Sequence, residues 1–361
     1  MTGYPPSGSG RDVAGSADTR ARSGRAVWFT APRRAELLDE AVPAPGEVEV
    51  TVRTVVSLIS AGTEIKYYRG HTDLSADVGL PTTGGGQGFP VKFGYDCVGR
   101  VVDAGGLSRR RAGDLVFARH PHQNLFTSAV DQTPERAIVV GLPDSLDPEV
   151  AMFLNLAEVA VNAIHDAPPA LGDVVVVFGQ GVVGLLVAQL ARRTAGRLVI
   201  VDPLPRRREL GRSFGADAAV APEEAADAVR TLSGGRGADI VFEASGAPPA
   251  LQQAIRVAGR EGTVAVVSFY GDRPVELILT PEFHMGRLRI VSTQGGRLNA
   301  MLLPRWDYRR RTATTIELLP SLRTAEIVTH RIPFERAADA FRLADERPGE
   351  TLGIALTYGP A

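Results

Sequence analysis

Residues 174–184 read VVVVFGQGVVG, and the next acidic residue downstream is Asp202, at the end of the run RLVIVD (197–202). The β-branched run predicts a strand buried on both faces, the glycines a tight turn, and the spacing that follows a helix. A strand, a G-x-G-x-x-G turn, a helix, and an acidic residue 23 positions after Gly179 together make a dinucleotide-binding arrangement, far more specific than the glycines alone. Gly179 permits the turn, Gly181 lets a pyrophosphate approach the backbone, and Gly184 lets helix and strand pack closely. The helix then opens at Val182 and Val183, whose N–H groups and partial positive charge suit the phosphates. Asp202 can accept from both hydroxyls of an adenosine ribose and would repel a 2′-phosphate, which favours NAD. Arg206, Arg207 and Arg208 keep NADP open, Arg207 being the candidate phosphate contact. The stretch 174–191 carries no charge, but glycines in its middle and a change of periodicity exclude a membrane helix.

Outward from this turn, buried strands alternate with helices from about residue 149 to 296: helix MFLNLAEVAVNAIHDA, strand RLVIVD, strand ADIVFEA, helix PALQQAIRVA, strand GTVAVVSF, strand RLRIVST. Such alternation predicts right-handed βαβ units around a parallel sheet. Ser245, Ser268 and Gln294 fall just past strand ends, where an open parallel sheet binds its dinucleotide, and are candidate ribose or nicotinamide contacts. Upstream, short strands bounded by Gly, Pro and Asp (AVWFTA, EVEVTVRTVVSLI, CVGRVVDAG, DLVFARH) predict a small β-rich domain. Residues 1–24, rich in Gly, Ser, Pro and Arg, predict a disordered leader, and 70–93, with GGGQG, a surface loop.

Forty Lys plus Arg against 41 Asp plus Glu leave a net charge of −1 over 361 residues, with no footprint for nucleic acid or an anionic membrane. The expected partner is a small molecule. The single Cys97 excludes an internal disulfide and any zinc site built on several thiolates. No charged segment followed by an apolar one opens the chain, so the cytoplasm is the expected compartment.

Beyond the glycine turn, the order of Ala61-Gly-Thr-Glu64, Gly94-Tyr-Asp96 before CVGRVV, Ala112-Gly-Asp114, GADAAV, ADIVFEASG and VTHRIPFERAADAF resembles the medium-chain dehydrogenase/reductases, the zinc alcohol dehydrogenase superfamily, over about residues 26–361. The resemblance implies an α/β fold: a GroES-like catalytic barrel from 25–151 and 297–361 around a Rossmann domain at 152–296. It also implies a homodimer paired through the last Rossmann strand, 288–292. In zinc members a Cys stands where this chain has Ala61, a His where it has Tyr95, and a Cys or Glu where it has Asn155. None of the three residues is a good zinc ligand, and the form SLISAGTE with GYDCVG resembles a zinc-lacking branch that includes bacteriochlorophyllide dehydrogenase-like oxidoreductases and dehydrogenases of specialised metabolism.

Alcohol oxidation without a metal needs a base for the hydroxyl proton and donors for the developing alkoxide. The resemblance places Thr63 and Lys66 where zinc enzymes carry a proton relay, and Glu64 and Asp96 near the vacated metal position. Lys66, Tyr95 and His122 are the candidates to hold the alkoxide or move the proton, with His120 and Glu64 behind them. The expected reaction is NAD(P)-dependent interconversion of a secondary alcohol and ketone on a polar, hydroxylated substrate such as a sugar, an aminocyclitol or a natural-product intermediate. Quinone or enoyl reduction, and dinucleotide binding without catalysis, are the competing expectations.

Overall fold

The structure, a computed structural model, describes residues 22–71, 88–130, 138–271 and 274–359. The expected leader lies outside the described residues up to position 21. Residues 22–24, assigned to it by composition, instead begin the first strand, because backbone pairing to residues 40–42 does not require apolar side chains. Most of the 70–93 loop also lies outside the described residues.

The chain opens with β1 (Arg22–Ala31), β2 (Arg34–Val42), β3 (Glu49–Ile59), α1 (Glu64–Arg69), β4 (Cys97–Ala104), β5 (Leu115–Ala118), β6 (Leu125–Ala129) and β7 (Val139–Gly141). Helices α2 (Pro148–Ala151) and α3 (Leu154–Asp166) lead into β8 (Val174–Phe178), α4 (Val182–Ala191), β9 (Arg197–Val201), α5 (Pro205–Ser213), β10 (Ala218–Val220) and α6 (Ala225–Leu232). Then come β11 (Ala238–Glu243), α7 (Pro248–Val257), β12 (Ala258–Val266), α8 (Glu282–Gly286) and β13 (Arg289–Ser292). The chain closes with α9 (Tyr308–Leu318), β14 (Val328–Pro333), α10 (Ala337–Glu346) and β15 (Gly353–Thr357).

Two sheets carry the architecture. In the first, β15 from the end of the chain pairs antiparallel with β3, which also pairs with β4 and β6, so residues some 300 positions apart build one β domain. The β1–β2 hairpin joins it through bridges from Ala26 to Gln123 and from Phe29 to Val91. The second sheet is parallel throughout, in the order β10-β9-β8-β11-β12-β13, the doubly wound Rossmann order. Its central strand β8 is buried along its whole length, as an unbroken valine run requires when helices cover both faces. Strand β13 ends the sheet.

Among the described residues no helix is long and apolar enough to cross a membrane. Helix α9 begins at Tyr308, where the Asp307 carboxylate caps it by accepting from the Arg310 N–H at 2.7 Å; Trp306 lies before it, edge-on to His165.

Candidate active site

Strand order reverses between β8 and β11, and the glycine turn lies at that crevice. Gly179 has φ +84°, and a Cβ on it would stand 2.5 Å from the Ser245 backbone; one on Gly184 would stand 1.8 Å from the Gly179 carbonyl oxygen. Both positions therefore exclude any side chain. Gly181 differs, since a Cβ there would meet nothing within 4 Å. That space opens at the head of the ten-residue α4, before the N–H groups of Val182 and Val183. A pyrophosphate fits this cradle.

Asp202 is 3% exposed. Its Oδ2 accepts from the Gln180 N–H at 2.8 Å and its Oδ1 from the Leu204 N–H at 2.9 Å, which fixes the carboxylate at the strand end while each oxygen keeps a lone pair for a ribose hydroxyl. Arg207 does not stand as a phosphate contact. Its guanidinium donates to the carbonyls of Pro348 at 2.7 Å and Thr351 at 3.0 Å, tying α5 to the segment before β15. Arg208 caps the carbonyls of Asp202 and Pro203, and of the arginine run only Arg206 is fully exposed.

The loops after β11 and β12 are joined by a residue that the sequence reading passed over. Glu243, fully buried, accepts at Oε1 from the Ser245 N–H (2.7 Å) and hydroxyl (2.5 Å), and at Oε2 from the Tyr270 hydroxyl (2.5 Å). Ser268 accepts from the Gly246 N–H at 2.7 Å. Ser245 and Ser268 thus lie together beside Gly179, but as parts of the crevice wall. Gln294 is exposed, and its side chain caps its own turn by accepting from the Gly296 N–H at 2.7 Å.

On the opposing domain, α1 projects Lys66 to this wall. Its ammonium donates to the Phe269 carbonyl and lies 4.4 Å from the centre of the Phe269 ring. Thr63, partly exposed, stands at the N-terminus of α1, and the Lys66 N–H donates to its carbonyl. Tyr95 is buried; its hydroxyl donates to Ser60 Oγ at 2.6 Å. Burial raises this phenol far above the ordinary tyrosine range, and the charges of Asp96 and Glu64 add to the effect.

The histidine assignments need correction. His122 is fully buried, with Nε2 2.8 Å from Glu64 Oε2 and Nδ1 2.8 Å from Ser57 Oγ. Glu64 accepts with its other oxygen from the Ser60 N–H at 3.0 Å. This pair ties β3, α1 and the 120–123 segment together and turns both side chains away from solvent. His120 stacks on Phe126 at 3.8 Å and donates from Nδ1 to the Pro121 carbonyl. Burial depresses its pKa to about 3, leaving a neutral ring packed in the barrel.

The donor set at the three resemblance positions does not fit zinc. Ala61 offers no donor atom, the Tyr95 hydroxyl is turned to Ser60, and Asn155 Oδ1 accepts from Arg119 Nε at 3.4 Å. Among the described residues no group of three or more His, Cys, Asp or Glu is placed to hold a metal ion.

Asn155 belongs to a second feature that the sequence reading missed. Glu158, 1% exposed, pairs with Arg119 at 2.5 Å and with Arg311 at 3.6 Å, and accepts from Thr312. Burial alone would raise its pKa, but the two guanidinium groups outweigh that and hold it low. Arg311 continues the network to the Gly295 carbonyl at 2.7 Å, so a buried polar path joins the segment just after β5, α3, α9 and the loop after β13. A signal existed, because Glu158 is the only charge in residues 150–164.

Two partly buried groups give opposed pH responses. His120 titrates near 3 in the fold against about 6.5 in a free chain, so its contribution to stability is lost as pH falls from about 6.5 toward 3. Burial raises Asp166 to about 6, against the opposing effects of Asn299 and Arg311, so the fold holds this proton more tightly than a free chain does, and stability is gained as pH falls from 6 toward about 3.9. Relative to wild type, His120→Asn should lift the urea midpoint increasingly between pH 6 and 4, and Asp166→Asn should lower it. Unchanged pH slopes in both variants would contradict these assignments.

Comparison with known proteins agrees with this geometry. Residues 182–306 match the family described as zinc-binding dehydrogenase. A D-guloside 3-dehydrogenase of Shigella flexneri is 27% identical over 348 residues, covering 91% of this chain and 98% of that protein. A 2-desacetyl-2-hydroxyethyl bacteriochlorophyllide A dehydrogenase of Rhodobacter capsulatus is 29% identical over 317 residues, covering 85% and 88%. In fold, the chain is similar to an alcohol dehydrogenase from Escherichia coli CFT073 complexed with NADH, with a TM-score of 0.74 at 18% identity over 93% of this chain and 99% of the other. With a GroES-like domain, a Rossmann domain and its glycine turn in place, the chain is similar in fold to the medium-chain dehydrogenase/reductases and in sequence to relatives named as dehydrogenases, as an oxidoreductase would be.

Proposed function

We propose that this protein is an NAD-linked, zinc-independent dehydrogenase that interconverts a secondary alcohol and its ketone on a polar, hydroxylated substrate of the sugar or polyol kind. The observation that carries the reading is Lys66, a cation brought from α1 to the loop after β12 beside a dinucleotide crevice, in a chain whose zinc-ligand positions hold Ala61, Tyr95 and Asn155. The relative named as a D-guloside 3-dehydrogenase supports the substrate class.

NAD, when bound, takes the hydride. The chain's own task is then to stabilise the negative charge that develops on the substrate oxygen and to release its proton. Lys66 supplies the positive charge. Thr63, three residues earlier at the N-cap of α1, offers a hydroxyl that can relay the proton, accepting it from the substrate as it passes its own to solvent water. Tyr95, kept protonated by burial, closes the space behind them and holds Ser60. The second subunit of a homodimer would pair along β13, the end strand of the parallel sheet.

The test is NADH formation with sorbitol, inositol and methyl glycosides, in parallel with NADH consumption by quinones. Alcohol-dependent NADH formation supports the reading, and quinone-dependent consumption alone overturns it. Cofactor choice gives a second expectation: wild type uses NAD more efficiently than NADP, and Asp202→Ala narrows the ratio about tenfold or more, because the variant loses both the ribose acceptor and the charge that repels a 2′-phosphate. A wild-type preference for NADP would contradict the role given to Asp202.

A further inference from the structure

We propose that Phe269 is a positioning residue that holds Lys66 at the nicotinamide end of the crevice by its ring face and its carbonyl, on a turn anchored by Glu243. The proposal rests on the reading of Lys66 given above.

The two partners come from different domains and are 203 residues apart in sequence. A lysine ammonium on a four-carbon stem is ordinarily loose and well hydrated, so it needs external contacts to be held in one place. Phe269 provides both a carbonyl oxygen that accepts from Nζ and a ring whose centre lies 4.4 Å from it. Each is a partner for a cation, the ring through its quadrupole.

The turn that carries Phe269 is fixed on both sides. Ser268, before it, bonds the Gly246 N–H and lies against the Glu243 carbonyl; Tyr270, after it, donates to the Glu243 carboxylate. That carboxylate is fully buried at the end of β11 and also holds Ser245, which abuts Gly179 of the cofactor turn. A continuous set of contacts thus runs from the glycine turn to the ammonium. The Phe269 ring is 41% exposed, so it is not a core residue whose loss would unfold the sheet. Its position makes sense as a clasp on the cation.

The chain favours a direct experiment because Lys66 and Lys92 are its only lysines. Lys92 pairs instead with Glu40 at 2.7 Å and lies over Trp28, a different set of partners, and serves as an internal standard. Competitive labelling of the full-length protein with acetic anhydride across pH, read by mass spectrometry, follows each amine separately. Phe269→Leu keeps the carbonyl and removes the ring. It should lower the Lys66 titration midpoint by about half a pH unit and raise its labelling at neutral pH about threefold, while Lys92 stays unchanged. Phe269→Trp should restore the wild-type profile, and turnover with NAD should follow the same order. An unchanged Lys66 profile in Phe269→Leu overturns the proposal whatever the activity does. Turnover that survives Lys66→Met, with the labelling shift intact, instead overturns the catalytic reading and leaves the clasp standing.

Discussion

Replacing Lys66 with methionine should lower kcat by about 100-fold or more while NADH binding, read by fluorescence titration, stays within about twofold of wild type. Methionine keeps the length and much of the apolar stem but removes the charge. Oxidation of an alcohol leaves negative charge on oxygen at the moment the hydride departs, and a fixed cation there stabilises the transition state more than the ground state. The cofactor turn is built on the other domain from Gly179, Gly181 and α4, so its affinity has no reason to follow. Lys66→Arg should recover part of the rate, since the charge returns in a bulkier geometry. Near wild-type turnover in a folded Lys66→Met protein would move the role to Thr63 or Tyr95.

The second large effect concerns stability. Glu158→Gln should cost about 3–5 kcal/mol, read as a fall in the urea midpoint, because it leaves the Arg119 and Arg311 guanidinium groups facing each other without the carboxylate they share, all within a site 1–2% exposed. Desolvation is already complete for these groups, so the loss is not screened as it would be at a surface. A triple change, Glu158→Leu with Arg119→Met and Arg311→Met, should cost less than the single one, since no buried charge is then left uncompensated. If the single variant is as stable as wild type, the network does not hold α3, the segment just after β5 and α9 together.

The parallel sheet was legible because β8, β9, β11 and β13 are rich in Val and Ile, whereas the short β10, Ala-Ala-Val, carries no such signal, and VVVVFGQGVVG with Asp202 defines strand, turn and helix by local sterics. The β domain was legible in its strands but not in its pairing, since β15 meets β3 across the whole chain. Site residues divided on the same line. Gly179, Gly181 and Asp202 are placed by backbone geometry set within a few residues, in the turn after β8 and at the end of β9. His120 and His122 were candidates for the proton chemistry by residue type, yet the stacking on Phe126 and the pairing with Glu64 that turn them inward are tertiary contacts. Arg207 failed for the same reason, because its partners at 348 and 351 are distant in sequence. Glu158 and Glu243 carried a readable mark, a lone carboxylate in an apolar segment, whose meaning emerges only with the arginines, serine and tyrosine that surround them.

The role of Lys66 in place of a metal is tested most directly by turnover without zinc. Protein dialysed against a strong chelator, with zinc shown by elemental analysis to be well under one per chain, should form NADH from a polyol or glycoside at the same initial rate before and after stoichiometric zinc is added. A preparation that is inactive when stripped and recovers its rate with one zinc per chain would contradict the assignment of the substrate oxygen to Lys66.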